Sequence, residues 1–155
     1  ERLVDWETAA KIPWGVFVMI GGGICIGRAF GASHLDAELG RALGFLAAWS
    51  PWVVVPLVCL AATFATEVTS NTAVANVLMP ILAAAGTMGG IDPLWLMMPA
   101  VLGVNHAFML PVATAANAIV YGTGRVTTRQ MAREGLALNL LGAAVIAAVS
   151  LWRLG

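Results

Sequence analysis

Charge is what this sequence most conspicuously lacks. Of its 155 residues only 10% are Asp, Glu, Lys or Arg, whereas 60% are hydrophobic and 17 more are glycine. A soluble domain averages about 25% charged residues, and one of this length could not bury so much apolar side chain, because most of its surface would still face water. Mean hydropathy is +0.88, so disorder is excluded too, since little here is polar enough to stay solvated. The composition describes a membrane protein whose first partner is the lipid bilayer. Eight basic against eight acidic residues leave no net charge, which offers nucleic acid no polyanion-binding surface. Cysteine is scarce as well: Cys25 and Cys59 sit in apolar stretches without metal-ligand spacing and read as small core residues. No signal-peptide pattern opens the chain, since Glu1 to Glu7 carry three acids and one arginine, and the start at Glu1 suggests a piece of something longer.

The few charges divide the chain into blocks. Residues 12–31 form a transmembrane helix if Arg28 snorkels, with Trp14 in the aromatic belt. In residues 33–46, Ser33 can cap a helix on which Leu35, Leu39, Leu43 and Leu46 recur at helical spacing among Asp36, Glu38 and Arg41. Such a helix either lies amphipathically in the interface or packs as a plain loop helix on a neighbour.

From Ala42 to Ile91 the only charge is Glu67, at the head of a polar centre running through Thr69, Ser70, Asn71 and Thr72. Two full helices joined at the far surface would fit this block, as would a re-entrant hairpin over 50–89 with its tip at membrane depth. The hairpin is preferred, because its arms are short for full spans and its tip lacks the residues of an ordinary exit loop. Residues 93–124 carry no charge and are too long for one simple helix, yet they hold Asn105, His106, Pro111, Thr114 and Asn117. A helix broken near Pro111–Asn117 fits, because irregular backbone at that depth survives only inside protein or beside a wet cavity. Residues 135–153 read as an ordinary transmembrane helix. The basic cluster Arg125, Arg129 and Arg133 is expected on the cytoplasmic side together with Arg2 and Lys11, which places the end of the chain outside.

Chemistry concentrates in two places. At the hairpin tip, a run of hydroxyls and an amide inside a bilayer is costly unless it binds something. Such groups hydrogen-bond an anion while nearby carbonyl oxygens hold a cation, and a half-helix starting near Asn71 aims its N–H groups and positive dipole end at the tip. The second place, Leu110 to Ala118, offers Thr114, Asn117, small residues and carbonyls freed by the break. Two broken elements meeting near the midplane describe a secondary transporter's site.

Helix–helix glue in a membrane assembly subunit uses the same residue types, and that reading stays open on chemistry alone. Gly21, Gly22, Gly23 and Gly27 read as close-packing positions. Glu67 reads either as a proton-coupling group or as a carboxylate held by the hairpin's own hydroxyls, and His106 as a satisfied packing residue. An intramembrane hydrolase built on Ser70 and His106 would lack both a G-x-S-x-G elbow and a nearby acid, so no enzyme is expected.

With these residues in view, the chain resembles the C-terminal half of a divalent anion:sodium symporter. Glu67-x-x-Ser70-Asn71-Thr72-Ala73 is similar to that family's Ser-Asn-Thr signature. Leu110-Pro111-Val112-Ala113-Thr114 through Asn117-Ala118-Ile119-Val120, followed by Tyr121-Gly122-Thr123-Gly124, is similar to its second. The resemblance implies an all-α membrane protein, one inverted repeat of an elevator-type transporter that works as a homodimer once an N-terminal repeat, missing here, completes it. It implies sodium-coupled transport of a divalent anion such as a C4-dicarboxylate, in a bacterial inner membrane. Ser70, Asn71, Thr72 and Thr114 would contact the substrate carboxylate; oxygens of Thr66, Thr69, Asn71 and Ala113 would hold sodium; Glu67 and Asn117 would be accessory. A sodium-independent dicarboxylate exchanger, or a related arsenite or sodium/proton antiporter, is the alternative within the same architecture. One departure stands out: Ala115 and Ala116 occupy positions where many members carry two prolines, which would enforce the break.

Overall fold

The computed structural model describes residues 5–11 and 14–154; Arg2 and the first two positions of the 12–31 block lie outside them. All regular structure among the described residues is helical. A short helix α1 (Trp6–Ala10) is capped by the Asp5 carboxylate, which accepts from the Thr8 N–H at 2.8 Å. Then come α2 (Trp14–Ala32) and α3 (Leu35–Leu43), the latter running into a 3-10 turn over Gly44–Ala48. The turn between α2 and α3 is made by His34 in left-handed backbone at φ 58°, and His34 holds the N-cap position of α3. The Ser33 hydroxyl donates backwards to the Ala29 carbonyl of α2.

The next two helices form a hairpin. Helix α4 (Pro51–Glu67) starts with proline in its first turn, where the missing N–H costs nothing. After Val68-Thr69-Ser70, α5 (Asn71–Met88) runs back and stops at Gly89, with Gly90 in the left-handed region at φ 72°. The arms have 17 and 18 residues, about 25–27 Å of rise each against a hydrocarbon core of about 30 Å. They touch each other little: α4 packs on α6 and α8, and α5 on α3, α6 and α2. Leu46, Val54, Val58, Ala62, Leu82, Ala85, Leu96, Ala100 and Val104 form the buried core between them.

Beyond the hairpin lie two half-length helices, α6 (Leu94–Gly103) and α7 (Ala115–Gly122), separated by eleven residues of irregular chain, 104–114. The break therefore begins well before Pro111, and the helix resumes at Ala115, inside the stretch where the sequence suggested interruption. The last helix, α8 (Thr128–Leu154), starts two turns earlier than the uncharged block 135–153. It opens with a capping box: Thr127 N–H donates to the Gln130 side-chain oxygen at 3.0 Å, and Gln130 N–H donates back to the Thr127 hydroxyl at 3.3 Å. Among the described residues, α5 and α8 are long and apolar enough to cross a membrane.

Close helix contacts fall where glycine removes the Cβ, though not at Gly21 and Gly22, which have no neighbour within 4 Å among the described residues. The near approaches are elsewhere. A Cβ on Gly40 of α3 would sit 2.8 Å from that of Ala84, and one on Gly103 of α6 would sit 2.7 Å from the Cys59 carbonyl oxygen of α4. At the latter contact, buried Thr63 donates its hydroxyl to the Gly103 carbonyl at 3.1 Å, beside the His106 N–H that the same oxygen accepts at 2.9 Å.

Candidate functional site

The hairpin tip and the helix break meet at one cleft of about 500 Å³, lined by Val68, Thr69, Ser70 and Asn71 on one side and Val112, Ala113, Thr114 and Ala115 on the other. Two helices begin at its walls. Ser70, in extended backbone, is the N-cap of α5, yet its side chain makes no capping bond. Thr114 is the N-cap of α7, and its hydroxyl oxygen accepts from the Asn117 N–H at 3.1 Å. That bond uses a lone pair, so the hydroxyl proton is left to donate. First-turn N–H groups of a helix have no carbonyl partner in their own helix, and the two positive dipole ends add to the attraction for negative charge. No Lys or Arg is among the described residues that line the cleft.

Of the residues expected to contact substrate, the cleft brings together Ser70, Asn71 and Thr114, while Thr72 is not on its wall. Of those expected around sodium it brings together Thr69, Asn71 and Ala113. Thr66 is fully buried inside the hairpin arm and donates to the Thr63 carbonyl at 2.9 Å. The Asn71 side-chain oxygen is buried without a hydrogen-bond partner among the described residues. A carbonyl-type oxygen of this kind suits a water or a hard cation, which prefers oxygen donors.

The expectation that the hairpin's own hydroxyls hold Glu67 is corrected here. Thr66 and Thr69 each turn back onto their own helix, Thr69 to the Ala65 carbonyl at 2.6 Å, a local bond such residues readily make in helices. The Glu67 carboxylate is instead buried against the break: Oε1 accepts from Met109 N–H and Oε2 from Leu110 N–H, both at 2.9 Å. Asn139 of α8 donates to the same Oε1 at 2.6 Å and takes the Phe108 N–H on its own oxygen at 3.1 Å. Asn117 completes the set, its amide donating to the Ala107 and Leu110 carbonyls at 3.1 and 3.0 Å. This is how irregular backbone is made tolerable away from water. The His106 ring lies edge-on to Phe108, with Nε2 3.1 Å from the Leu138 carbonyl.

Side-chain bonds thus hold the break, which accounts for alanine at 115 and 116. Those residues are the first two of α7, where the N–H groups lack intrahelical partners whichever residue stands there. Asn139 is a site residue that sequence reasoning misses. Its signal is the stripe Gly135, Asn139, Gly142 at i, i+4, i+7 of α8, the face on which the break lies: a Cβ at Gly135 would overlap the Phe108 carbonyl, and one at Gly142 the His106 ring.

An all-helical membrane chain with this paired-helix-end site is a transporter architecture, and the comparisons with known proteins agree. The family described as "Sodium:sulfate symporter transmembrane region" matches residues 1–154. The chain belongs to that family of divalent anion:sodium symporters, whose members are transporters rather than enzymes. It is 42% identical over 149 residues to the sodium-dependent dicarboxylate transporter SdcS of Staphylococcus saprophyticus, covering 96% of this chain and 29% of that protein. It is 43% identical over 145 residues to the SdcS of Staphylococcus aureus strain USA300, covering 94% of this chain and 28% of that one. The chain therefore spans less than a third of the length of these relatives.

Proposed function

We propose that these residues form the C-terminal transport repeat of a sodium-coupled carrier for C4-dicarboxylates such as succinate or malate. The observation that carries the reading is the cleft where the starts of α5 and α7 meet, which among the described residues offers hydroxyls, amides and an Asn71 oxygen without a partner but no basic side chain. A dianion bound only by neutral donors needs its charge offset, and a cation arriving with it supplies that offset. In this reading Ser70, Asn71 and Thr114 donate to one substrate carboxylate, and Thr72, off the cleft wall, does not. Thr69, Asn71 and Ala113, with Thr66 behind them, offer oxygens to sodium. Sodium binding orders the tip and lowers the cost of admitting the anion, and the reciprocal gain in sodium affinity couples the two fluxes.

The hairpin over 50–89 is re-entrant and the broken segment 93–124 crosses the membrane as two half-helices, with the block 12–31 and α8 spanning it fully. The helix over 33–46 lies in the interface. The rest of the substrate site comes from an N-terminal repeat, and the complete carrier is a homodimer moving as an elevator in a bacterial plasma membrane, with the end of this chain outside.

The test is direct binding of succinate to the complete carrier in saturating sodium. Ser70→Ala and Asn71→Ala are each expected to weaken binding by about tenfold to a hundredfold, the value of a hydrogen bond to a charged group, with unchanged thermal unfolding. Wild-type affinity in both variants would refute the site; equal affinity with lowered stability would make these residues packing glue.

A further inference from the structure

We infer that Glu67, working through Asn139, is a positioning residue that fixes the two walls of the cleft against each other before any ligand arrives. The inference rests on the proposed transport reading for its functional consequence, but not for its geometry. Glu67 is the last residue of α4 and immediately precedes the tip residue Val68. Met109 and Leu110, whose N–H groups it holds, lie just before the opposite wall at Val112–Ala115. One buried carboxylate therefore links the segment before one wall to the segment before the other, and Asn139 ties that link to α8.

The donor pattern is specific. Three consecutive backbone N–H groups, at 108, 109 and 110, are taken up by one carboxylate–amide pair. The Glu67 oxygens act only as acceptors among the described residues: two of their bonds come from backbone and one from the Asn139 amide. A carboxylate accepts on both oxygens, whereas glutamine presents one acceptor and one donor. Glu67→Gln therefore sets an NH2 group against a backbone N–H or against the Asn139 amide. Asn139→Asp sets a second carboxylate against the first. Both changes together reverse the polarity of the pair. The new amide at position 67 then donates to the new carboxylate at position 139, and that carboxylate keeps the Phe108 N–H. The amide oxygen at position 67 accepts one of the two remaining N–H groups. Neither an apolar packing role nor simple charge burial predicts such a rescue, because each single change retains nearly the native shape.

The purified complete carrier, without sodium or substrate, tests this by hydrogen exchange across residues 104–114 in wild type, E67Q, N139D and E67Q/N139D. Each single change is expected to speed exchange within 108–110 by about tenfold to a hundredfold, and the double change to return Phe108 and one of Met109 and Leu110 most of the way to wild type while the other stays fast. Asn139→Ala, a milder change, is expected to speed exchange at Phe108 more than at Met109 and Leu110. If E67Q does not accumulate, recovery of folded protein in the double variant is the same rescue, and N139A carries the exchange comparison. In parallel, the sodium concentration for half-maximal succinate uptake is expected to rise at least about threefold in E67Q and to fall back in the double variant. Unchanged exchange in E67Q, or a double variant no better than the worse single one, overturns the clamp. Faster exchange with an unchanged sodium requirement overturns its positioning role. If wild type shows no sodium-driven uptake, the transport reading fails and the positioning role with it, while the exchange series still decides the clamp.

Discussion

Replacing Gly135 by alanine is expected to push the helix break off α8 and to destabilise the protein by about 2–4 kcal/mol. The added methyl would fall on the Phe108 carbonyl group, with the Met109 Cα at 2.6 Å. These are backbone atoms, which cannot swing aside as a side-chain tip can. Moving them also lengthens the Phe108 N–H bond to Asn139 and the Met109 bond to Glu67, so a steric cost becomes a lost hydrogen-bond network. Gly122→Ala is the control: a Cβ there meets nothing within 4 Å. Thermal unfolding of both variants in detergent measures the difference. A large loss for Gly135→Ala against almost none for Gly122→Ala is the expected outcome; equal small effects would mean that the break does not ride on this face of α8.

The second large effect is expected at Asn117. Its amide donates to two carbonyls on the same irregular stretch, Ala107 and Leu110, and it is buried. Asn117→Ala leaves both oxygens short of a donor, at about 1–3 kcal/mol for each group left unsatisfied out of reach of water. The total is expected at about 2–4 kcal/mol, below the sum because one carbonyl can shift toward another donor. Asn117→Asp is expected to be worse, since a carboxylate would face two carbonyl oxygens. Neither change touches the Ser70–Asn71 wall, so residual folded protein should retain some sodium response. Full stability in Asn117→Ala, measured by the same unfolding assay, would show that the break is held by other means.

These two residues also show what can be read from the sequence and what cannot. Asn117 stands out because an amide in an uncharged apolar run is conspicuous, and Ser70, Asn71 and Thr114 stand out for the same reason; the structure places those three on one cleft. Gly135 and Asn139 share a helical stripe with Gly142 that marks a packed face, but what crosses that face comes from a segment some thirty residues earlier, which the stripe does not identify. The glycines mislead for a related reason. Gly21 and Gly22 invite a close-packing reading by clustering, yet the tight contacts among the described residues fall at scattered glycines such as Gly40, Gly103, Gly135 and Gly142.

The start of the break is misplaced by sequence reasoning for a physical reason as well. Proline and alanine propensities point to Pro111–Asn117, but α6 ends at Gly103, a tighter turn carries the chain through His106, and Glu67 and Asn139 then hold the N–H groups of 108–110 outside any helix. Glu67 reads as a partner of its sequence neighbours, whereas those hydroxyls are already committed to their own helix carbonyls. Local chemistry is legible in the sequence, but long-range pairing at separations of 42 to 72 residues is not.

The central claim is that the cleft at the start of α5 and α7 binds a dianion together with sodium. It is tested most directly by uptake of labelled succinate into proteoliposomes holding the complete carrier, with and without an inward sodium gradient. Accumulation above the external concentration, present only with the gradient and lost in Asn71→Ala, is the predicted result. Uptake that is indifferent to sodium and proceeds only against internal dicarboxylate would contradict it, leaving an exchanger in which the Asn71 oxygen serves no cation.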